Sequence, residues 1–222
     1  MAPTSNTEHA FLQFALDAGV LRFGEFTLKS GRVSPYFFNA GLFNSGTTLS
    51  TLASFYAATL HEAEPASFML FGPAYKGIPL AAATAVALAN EYQRDIPFAF
   101  NRKEVKDHGE GGQLVGATIA GNVVIIDDVI TAGTSVRESV DIIRAAGATP
   151  AAVIIALDRE EAVTQDGRCA IDFVTDEFGL RVHALARFSS LMDFLAGKPE
   201  LASELESLQD YRAHYGSAKT VR

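Results

Sequence analysis

The sequence has little of several features that would place it outside the cell or in a membrane. Cys169 is the only cysteine among 222 residues, so neither an internal disulfide nor a zinc-binding cysteine cluster can form. The longest apolar run, residues 80–89, is too short and too rich in alanine to span a bilayer. The first ten residues lack the basic residues that begin a secretory signal. We therefore expect a soluble cytoplasmic protein with no membrane partner.

Basic residues are also scarce. The chain has 18 Lys and Arg against 26 Asp and Glu, for a net charge of −8, whereas a general nucleic-acid binder is more often basic. Seven of the basic residues nevertheless lie in or beside glycine-containing loops. They are Lys29, Arg32, Lys76, Arg102, Lys103, Lys106 and Arg159. An acidic body with a local basic cluster suits a small polyanionic ligand and argues against a nucleic-acid partner.

Composition and pattern favour one domain with a small appendage. Hydrophobic residues make up 48% of the chain and charged ones 20%, and the sequence contains no repeat, low-complexity tract or obvious linker. A helix is predicted over residues 7–18, ending at Gly19, followed by strands 26–29 and 36–40 around a turn at residues 30–31. These elements, within about residues 1–45, are expected to form a hood together with C-terminal elements.

The remainder alternates between strands and helices. Strands are predicted at 68–71, 97–101, 114–119, 123–126, 151–157 and 180–185, and helices at 49–60, from Pro79 to about 90, after Ser135, and in the tail after Ser189. Ser135 and Glu138 have the spacing of a capping box. The polar, glycine-rich segment 102–113 predicts a mobile loop. Strand, helix, strand over 123–157 indicates an α/β fold with a central, mainly parallel sheet flanked by helices.

The chemistry is concentrated in residues 123–135. A β-branched run ends in Asp127 and Asp128, and a loop rich in Thr, Gly and Ser leads into the next helix. Such a loop offers backbone N–H groups, hydroxyls and a helix N-terminus, which suit a phosphate. The two carboxylates could accept hydrogen bonds from the vicinal hydroxyls of a ribose. Simple helix capping is the alternative interpretation, but neither a Walker A loop nor a dinucleotide-binding glycine pattern is present.

Residues 123–135 closely resemble the binding signature of type I phosphoribosyltransferases for phosphoribosyl pyrophosphate (PRPP). Three more segments resemble the orotate phosphoribosyltransferases among them: residues 27–38 their hood, 72–79 their pyrophosphate-side loop, and 102–113 their catalytic flap, a flexible β-hairpin. The motifs occur in the same order from about residue 11 to residue 194. The resemblance implies one phosphoribosyltransferase domain over residues 1–222.

The resemblance also implies roles for individual residues. Asp127 and Asp128 would bind the ribose hydroxyls and residues 131–135 the 5′-phosphate. The predicted catalytic residues are Lys103, Lys106, His108 and Asp128. The predicted PRPP-binding residues are Lys29, Tyr75, Lys76, Arg102, Lys103, Lys106, His108, Asp127, Asp128, Val129, Ile130, Thr131, Ala132, Gly133, Thr134 and Ser135. The predicted orotate-binding residues are Phe37, Phe38, Thr131 and Arg159.

Orotate and PRPP would give orotidine 5′-monophosphate and pyrophosphate, a step of de novo pyrimidine (UMP) biosynthesis. The resemblance further implies Mg²⁺ as cofactor, held mainly by pyrophosphate and ribose oxygens and waters, with no protein metal ligand required. It implies a homodimer in which flap residues act in the neighbouring active site. Arg159 would pair with the orotate carboxylate, since a guanidinium can bind it through two hydrogen bonds.

Several alternatives stay open at this point. The flap could be a solvated charged hairpin, and Lys76 or Lys29 a plain surface residue. Phe37 and Phe38 could be core aromatics, and Arg159 could form a surface ion pair with Glu160 or Glu161. The whole chain could be a phosphoribosyltransferase for another nucleobase, a PRPP-sensing regulatory protein, or a nucleotide-binding α/β protein whose acidic pair holds a metal.

Overall fold

A computed structural model describes residues 5–28, 31–106, 112–131, 133–164 and 166–217. The helices are α1 (Ser5–Asp17), α2 (Gly46–Ala63), α3 (Gly77–Tyr92), α4 (Thr134–Ala145), α5 (Ala170–Phe178), α6 (Phe188–Ala196) and α7 (Ala202–Tyr215). The strands are β1 (Leu21–Thr27), β2 (Val33–Phe38), β3 (Met69–Gly72), β4 (Phe98–Lys106), β5 (Gly112–Gly116), β6 (Asn122–Ile126), β7 (Thr149–Asp158) and β8 (Arg181–Arg187). In this part of the chain no helix is long and apolar enough to cross a membrane.

Six strands form the central sheet in the order β5-β4-β3-β6-β7-β8. All neighbouring pairs are parallel except β4 with β5, which are antiparallel. The predicted α/β fold with a mainly parallel sheet is therefore confirmed. Successive residues of β6 point to opposite faces, so Val124 and Ile126 join one apolar cluster and Val123 and Ile125 the other.

The two faces of the sheet carry different layers. Helices α4 and α5 pack on one face through residues such as Val136, Val140 and Val174. The other face carries α1, α2, α3, α6, α7 and the β1–β2 hairpin. Because the hairpin and the C-terminal helices share this second cluster, the N-terminal and C-terminal parts of the chain meet on the same side of the sheet.

The hairpin differs from the prediction at its start. Strand β1 begins at Leu21, five residues before the predicted strand, and its register with β2 shifts between Phe23 and Phe26. Gly24, with φ of +142°, lies at this irregularity. A bulge interrupts the two-residue alternation on which strand prediction depends, which explains why the first half of β1 was missed. Residues 29 and 30, at the predicted turn, lie outside the described residues.

Two further elements were predicted wrongly or not at all. Residues 102–106 were expected to be loop but belong to β4, which extends to Lys106 and pairs there with Gly112 of β5. Residues 102–106 carry mostly charged side chains and pair only with β5, the edge strand of the sheet. They therefore lack the apolar pattern of a buried strand. Helix α5, which connects β7 to β8, was not predicted, since its nine residues are too few for a clear helical period.

Candidate active site

The loops that carry the predicted site follow three neighbouring parallel strands. Strand β3 ends at Gly72, β6 at Ile126 and β7 at Asp158, so their carboxyl ends meet at one edge of the sheet. Ligands of open α/β sheets bind at this edge. The structure thus brings the segments beginning at Pro73, Asp127 and Arg159 to a common place.

Asp127 is held in place by four hydrogen bonds. Its backbone N–H donates to the Ile154 carbonyl at 3.1 Å, and its own carbonyl accepts from the Tyr56 hydroxyl at 2.8 Å. Its carboxylate accepts from the Ser135 hydroxyl at 2.8 Å and from the Asp128 backbone N–H at 2.9 Å. Burial, together with the charge of Asp128, raises the pKa of Asp127 to about 6, although the Ser135 bond opposes this rise. The carboxylate is therefore ionised at neutral pH.

Asp128 is more deeply buried, at 6% exposure, and forms an ion pair with Lys76. The Lys76 ammonium donates to Oδ2 of Asp128, while the rest of the lysine side chain is 57% exposed. A buried carboxylate is costly without a partner, and Lys76 supplies one. Lys76 is therefore not a plain surface lysine, because it joins the β3–α3 turn to the acidic pair.

The β3–α3 turn is closed so tightly that it requires two glycines. A Cβ on Gly72 would lie 2.1 Å from the carbonyl oxygen of Gly77, and one on Gly77 would lie 2.6 Å from Cδ of Pro73. Asn101 on β4 closes the turn from the side, since its Oδ1 accepts from the backbone N–H of Ala74 at 2.8 Å. This packing fixes the backbone position of Lys76, and from that position its side chain reaches Asp128.

The loop before α4 has the features of an anion site. Thr131 and Thr134 are exposed, and Gly133, with φ of +73°, occupies the N-cap position of α4. A Cβ on Gly133 would lie 3.2 Å from the Phe173 ring. Both the left-handed backbone conformation and the limited space therefore favour glycine at this position. Exposed hydroxyls beside the N-terminus of a twelve-residue helix suit a phosphate. Ala132 lies outside the described residues.

The capping box predicted for α4 is wrong. No side chain caps this helix, because Gly133 stands at the N-cap and the Ser135 hydroxyl is directed back to Asp127. The sequence spacing of Ser135 and Glu138 was correct for a cap, but the helix begins two residues earlier than that motif requires. Val129 and Ile130, also predicted for this site, are half-buried and buried, respectively.

The β4–β5 hairpin approaches the site from the β3 side. The Lys103 ammonium lies 5.4 Å from the centre of the Tyr75 ring, and this ring is itself 66% exposed. Arg102 is half-buried and Lys106 ends β4. His108 and Lys29, both predicted to contact PRPP, lie outside the described residues.

The two phenylalanines predicted for orotate face opposite sides of β2. The Phe38 ring is buried in the core, 6.3 Å from the Phe11 ring, whereas Phe37 is half-buried and stacks on Phe26 at 5.4 Å. Of the two rings, only Phe37 retains appreciable surface for a ligand. Alternation along a strand buries one member of such a pair, which explains why Phe38 faces the core although it was predicted to contact orotate.

Arg159 immediately follows β7 and is largely buried, with 18% of its side chain exposed. Its Nε and Nη2 donate to Oε1 of Glu161 at 2.8 and 2.6 Å, and its guanidinium lies 4.9 Å from the centre of the Tyr36 ring. The ion pair with Glu161 considered from the sequence is therefore present, but it is not a surface pair.

Sequence reasoning missed the residues that hold the predicted ones. Tyr56 anchors Asp127, Asn101 anchors the β3–α3 turn, and Tyr36 and Tyr211 both donate to Glu161. Tyr56 and Tyr36 are fully buried, and burial raises the pKa of each well above the ordinary value. Each of them looks like a core residue in the sequence, and only the fold shows what its hydroxyl contacts.

The fold and site together define a phosphoribosyltransferase. A phosphoribosyl transferase domain matches residues 45–184, which span β3 through β7 and the loops that follow β3, β6 and β7. Among curated relatives, the orotate phosphoribosyltransferase of Methylococcus capsulatus is 60% identical over 94% of this chain and 97% of its own length. That of Bordetella petrii is 59% identical over 97% of this chain and 99% of its own.

A solved structure agrees with this assignment. The crystal structure of orotate phosphoribosyltransferase from Francisella tularensis is 42% identical, with a TM-score of 0.85, and the match covers 94% of this chain and 100% of that one. The chain belongs to the orotate phosphoribosyltransferases.

Proposed function

We propose that the chain transfers the 5-phosphoribosyl group of PRPP to orotate, giving orotidine 5′-monophosphate and pyrophosphate in de novo pyrimidine biosynthesis. The observation that carries the proposal is the assembly at one sheet edge of Asp127, Asp128, Lys76 and the loop before α4. Near full-length identity of about 60% to curated orotate phosphoribosyltransferases supports the choice of base. All 222 residues would form one catalytic domain with its hood.

The ribose 5-phosphate part of PRPP would bind along the β6–α4 loop. The backbone N–H groups and hydroxyls of residues 131–135 would hold the phosphate, with Val129 and Ile130 bordering the sugar. Asp127 and Asp128 would accept hydrogen bonds from the two ribose hydroxyls. Because the Ser135 hydroxyl already donates to Asp127, we assign its side chain to orienting that carboxylate and only its backbone to the phosphate.

The diphosphate would be held mainly by cationic side chains. Lys76 and Tyr75 lie on the β3–α3 turn, and Arg102, Lys103 and Lys106 lie on β4. Lys29 and His108, which lie outside the described residues, would also contribute. Diphosphate is the leaving group, so these side chains would neutralise charge as the bond to the ribose breaks. Orotate would lie between Phe37, Thr131 and Arg159, with its carboxylate on the guanidinium.

The reaction would depend on substrate positioning rather than on covalent catalysis. Bond breaking ahead of bond making gives an oxocarbenium-like transition state, for which the chain supplies orientation and charge. Lys103, Lys106, His108 and Asp128 are the residues we assign to this step. Hairpin closure would exclude water, which could otherwise hydrolyse the activated sugar.

The carboxylates of the site fit a magnesium ion that arrives with the substrate. Both already have partners, since Asp128 is paired with Lys76 and Asp127 accepts from Ser135 and a backbone N–H. Oxygen ligands for Mg²⁺ would therefore come mainly from diphosphate, ribose and water. When bound, Mg²⁺ would neutralise and orient the diphosphate.

A base-selectivity assay tests the function directly. Purified protein is mixed with PRPP, Mg²⁺ and orotate, and the loss of orotate absorbance is followed, with uracil and hypoxanthine in parallel. We expect turnover with orotate alone, and loss of that turnover in Asp128→Asn as the matched inactive control. Turnover of uracil or hypoxanthine in place of orotate would mean a phosphoribosyltransferase for another base. Absence of turnover with every base, together with retained binding of PRPP, would mean a protein that only binds PRPP.

A further inference from the structure

Glu161 binds the guanidinium of Arg159 along one edge only. Both hydrogen bonds, from Nε at 2.8 Å and from Nη2 at 2.6 Å, end on the same oxygen, Oε1. A guanidinium has five N–H donors in a planar fork, so the outer edge formed by Nη1 and Nη2 still has hydrogens to donate. That outer edge has the geometry that a carboxylate binds through two parallel hydrogen bonds.

Glu161 is itself held by residues from two distant parts of the chain. Its Oε1 accepts from the Tyr211 hydroxyl of α7 at 3.1 Å and from the Tyr36 hydroxyl of β2 at 3.4 Å. Arg32 approaches its Oε2 at 3.6 Å. Only 12% of the Glu161 side chain is exposed, so these contacts are poorly screened by water.

The backbone around Glu161 is fixed to the same C-terminal region. Glu161 forms an antiparallel bridge with Gly216. On either side of it, the Ala162 N–H donates to the Tyr215 carbonyl and the Ser217 N–H donates to the Glu160 carbonyl, each at 2.9 Å. The segment after β7 therefore cannot move without disturbing the end of α7.

Two guanidinium groups, of Arg159 and Arg32, face the carboxylate of Glu161. Because Glu161 occupies only the inner edge of Arg159, a substrate carboxylate could bind at the outer edge. A largely buried arginine without any anion would be costly, so Glu161 also keeps Arg159 in place while the pocket is empty.

We infer that Glu161 is a positioning residue for orotate, which holds Arg159 so that its outer edge meets the carboxylate of the base, and that α7 supports this arrangement through Tyr211. The inference rests on the proposed function, in which Arg159 receives that carboxylate. Competition is the opposite relation: if Glu161 competed with orotate for Arg159, its removal would strengthen orotate binding. The two relations predict opposite changes in the KM for orotate.

Glu161→Gln separates these relations, because it keeps the size of the side chain and removes its charge. We expect the KM for orotate to rise by about tenfold or more, as for the loss of hydrogen bonds between charged groups. The KM for PRPP should stay within about twofold of the wild-type value, since no PRPP contact is assigned to Glu161. Tyr211→Phe, which removes one hydroxyl that donates to Glu161, should raise the orotate KM about two- to fivefold.

Two further variants make the result decisive. Glu206→Gln makes the same chemical change at an exposed position of α7 and should leave both KM values unchanged. Arg159→Ala tests the residue on which the inference rests and should raise the orotate KM more than any other variant. If Glu161→Gln does not fold, as judged by circular dichroism, the same comparison of KM values in Tyr211→Phe decides.

The outcomes distinguish this inference from the proposed function. An orotate KM that is unchanged or lower in Glu161→Gln, with a large rise in Arg159→Ala, overturns the positioning role and leaves the function intact. An unchanged orotate KM in Arg159→Ala overturns both the role of Glu161 and the assignment of Arg159. Lack of orotate turnover by the wild-type protein rejects the function itself.

Discussion

The surroundings of Asp127 shift its pKa in opposite directions and would thereby set the pH range in which it accepts the ribose hydroxyls proposed as its ligands. Burial and the neighbouring Asp128 favour its protonated form and raise its pKa to about 6, while the Ser135 hydroxyl favours the ionised form. Only the ionised carboxylate accepts through both oxygens. We therefore expect kcat/KM for PRPP to fall as the pH decreases through about 6, since this parameter reports ionisations of the free enzyme.

Ser135→Ala should move that acidic limb to higher pH. Loss of a hydrogen bond to the ionised carboxylate raises the pKa of Asp127, and a bond of this kind corresponds to about half to one pH unit. The measurement is kcat/KM for PRPP against pH in both proteins. Ser207→Ala serves as control, since its hydroxyl bonds only the Ser203 carbonyl within α7. An unshifted limb in Ser135→Ala would show that Asp127 does not control it.

Asp158 links ionisation to stability rather than to substrate. Burial raises its pKa from 3.8 to about 6, so between these pH values the folded state keeps a proton that the unfolded state loses. The contribution of Asp158 to the free energy of unfolding therefore becomes less favourable as the pH rises from about 4 to 6, and stays so above 6. Its Oδ1 accepts from the Glu160 N–H at 3.0 Å, which an asparagine side chain could also do.

Asp158→Asn should therefore gain stability relative to wild type as the pH increases. We expect the difference in free energy of unfolding to grow by on the order of 1 kcal/mol between about pH 5 and pH 7.5. Urea titrations at several pH values provide the measurement. Stability curves that stay parallel across this range would contradict the raised pKa of Asp158.

Among the elements, the β3–α3 turn has the least room for change. The Cβ of an alanine at position 72 would meet the Gly77 carbonyl at 2.1 Å, and this contact is with backbone that cannot rotate away. The turn also holds Lys76, which pairs with Asp128. A change at Gly72 should therefore reduce both the stability of the fold and the binding of diphosphate.

Gly72→Ala is expected to lower the free energy of unfolding by about 1–3 kcal/mol or more, as for overpacked sites, and to raise the KM for PRPP. Gly46→Ala, at the start of α2, is the matched control, because a Cβ there meets nothing within 4 Å. It should be neutral or slightly stabilising. Equal unfolding midpoints for the two variants would show that the turn can open without cost.

Elements with a clear period were predictable and those defined by their neighbours were not. The buried strands β3, β6, β7 and β8 and the helices α1 to α4 were predicted from apolar runs and periodicity, and the structure confirms them. No such period is present at the bulge around Gly24, in the charged residues 102–106 of β4 or in the short helix α5. The predicted N-cap of α4 was wrong because the Ser135 hydroxyl bonds the Asp127 carboxylate instead of capping the helix, and Gly133 takes the N-cap position. The spacing of Ser135 and Glu138 alone does not reveal this contact with Asp127.

The same limit applies to the site. Asp127, Asp128 and Lys76 stand in motifs and could be predicted, and the pairing of Lys76 with Asp128 follows from adjacent strands β3 and β6. Tyr56, Asn101 and Tyr211 could not, because each reaches the site through a hydroxyl or amide on an otherwise ordinary core or strand residue. Supporting residues of this kind are visible only when the tertiary contacts are known.

For the whole molecule, we propose that the hairpin serves the neighbouring active site of a homodimer. Lys106→Ala and Asp128→Asn should each be inactive alone, the first by a loss of kcat that far exceeds its effect on PRPP binding. In a mixed dimer with a hairpin acting across the interface, one site would combine an intact Asp128 with an intact Lys106. Mixing equal amounts after reversible dissociation should then restore about a quarter of the wild-type activity.

The control for this experiment is a mixture without subunit exchange, which should remain inactive. A hairpin that acts within its own subunit predicts no recovery at all, because every site would then contain one substituted residue. Mixing Lys106→Ala with Lys103→Ala provides a second control. Both changes lie on the same hairpin, so neither arrangement yields recovery beyond the residual activity of each variant.

The bridge between residues 160–162 and 215–217 also orders events in time. Translation proceeds from the amino end, so Arg159 leaves the ribosome well before Tyr211, which follows Glu161 by 50 positions. A nascent polypeptide can thus expose Arg159 and Glu161 while the segment that anchors them is still being synthesised. In the role proposed for Glu161, selection of the base would be among the last properties that the growing chain acquires.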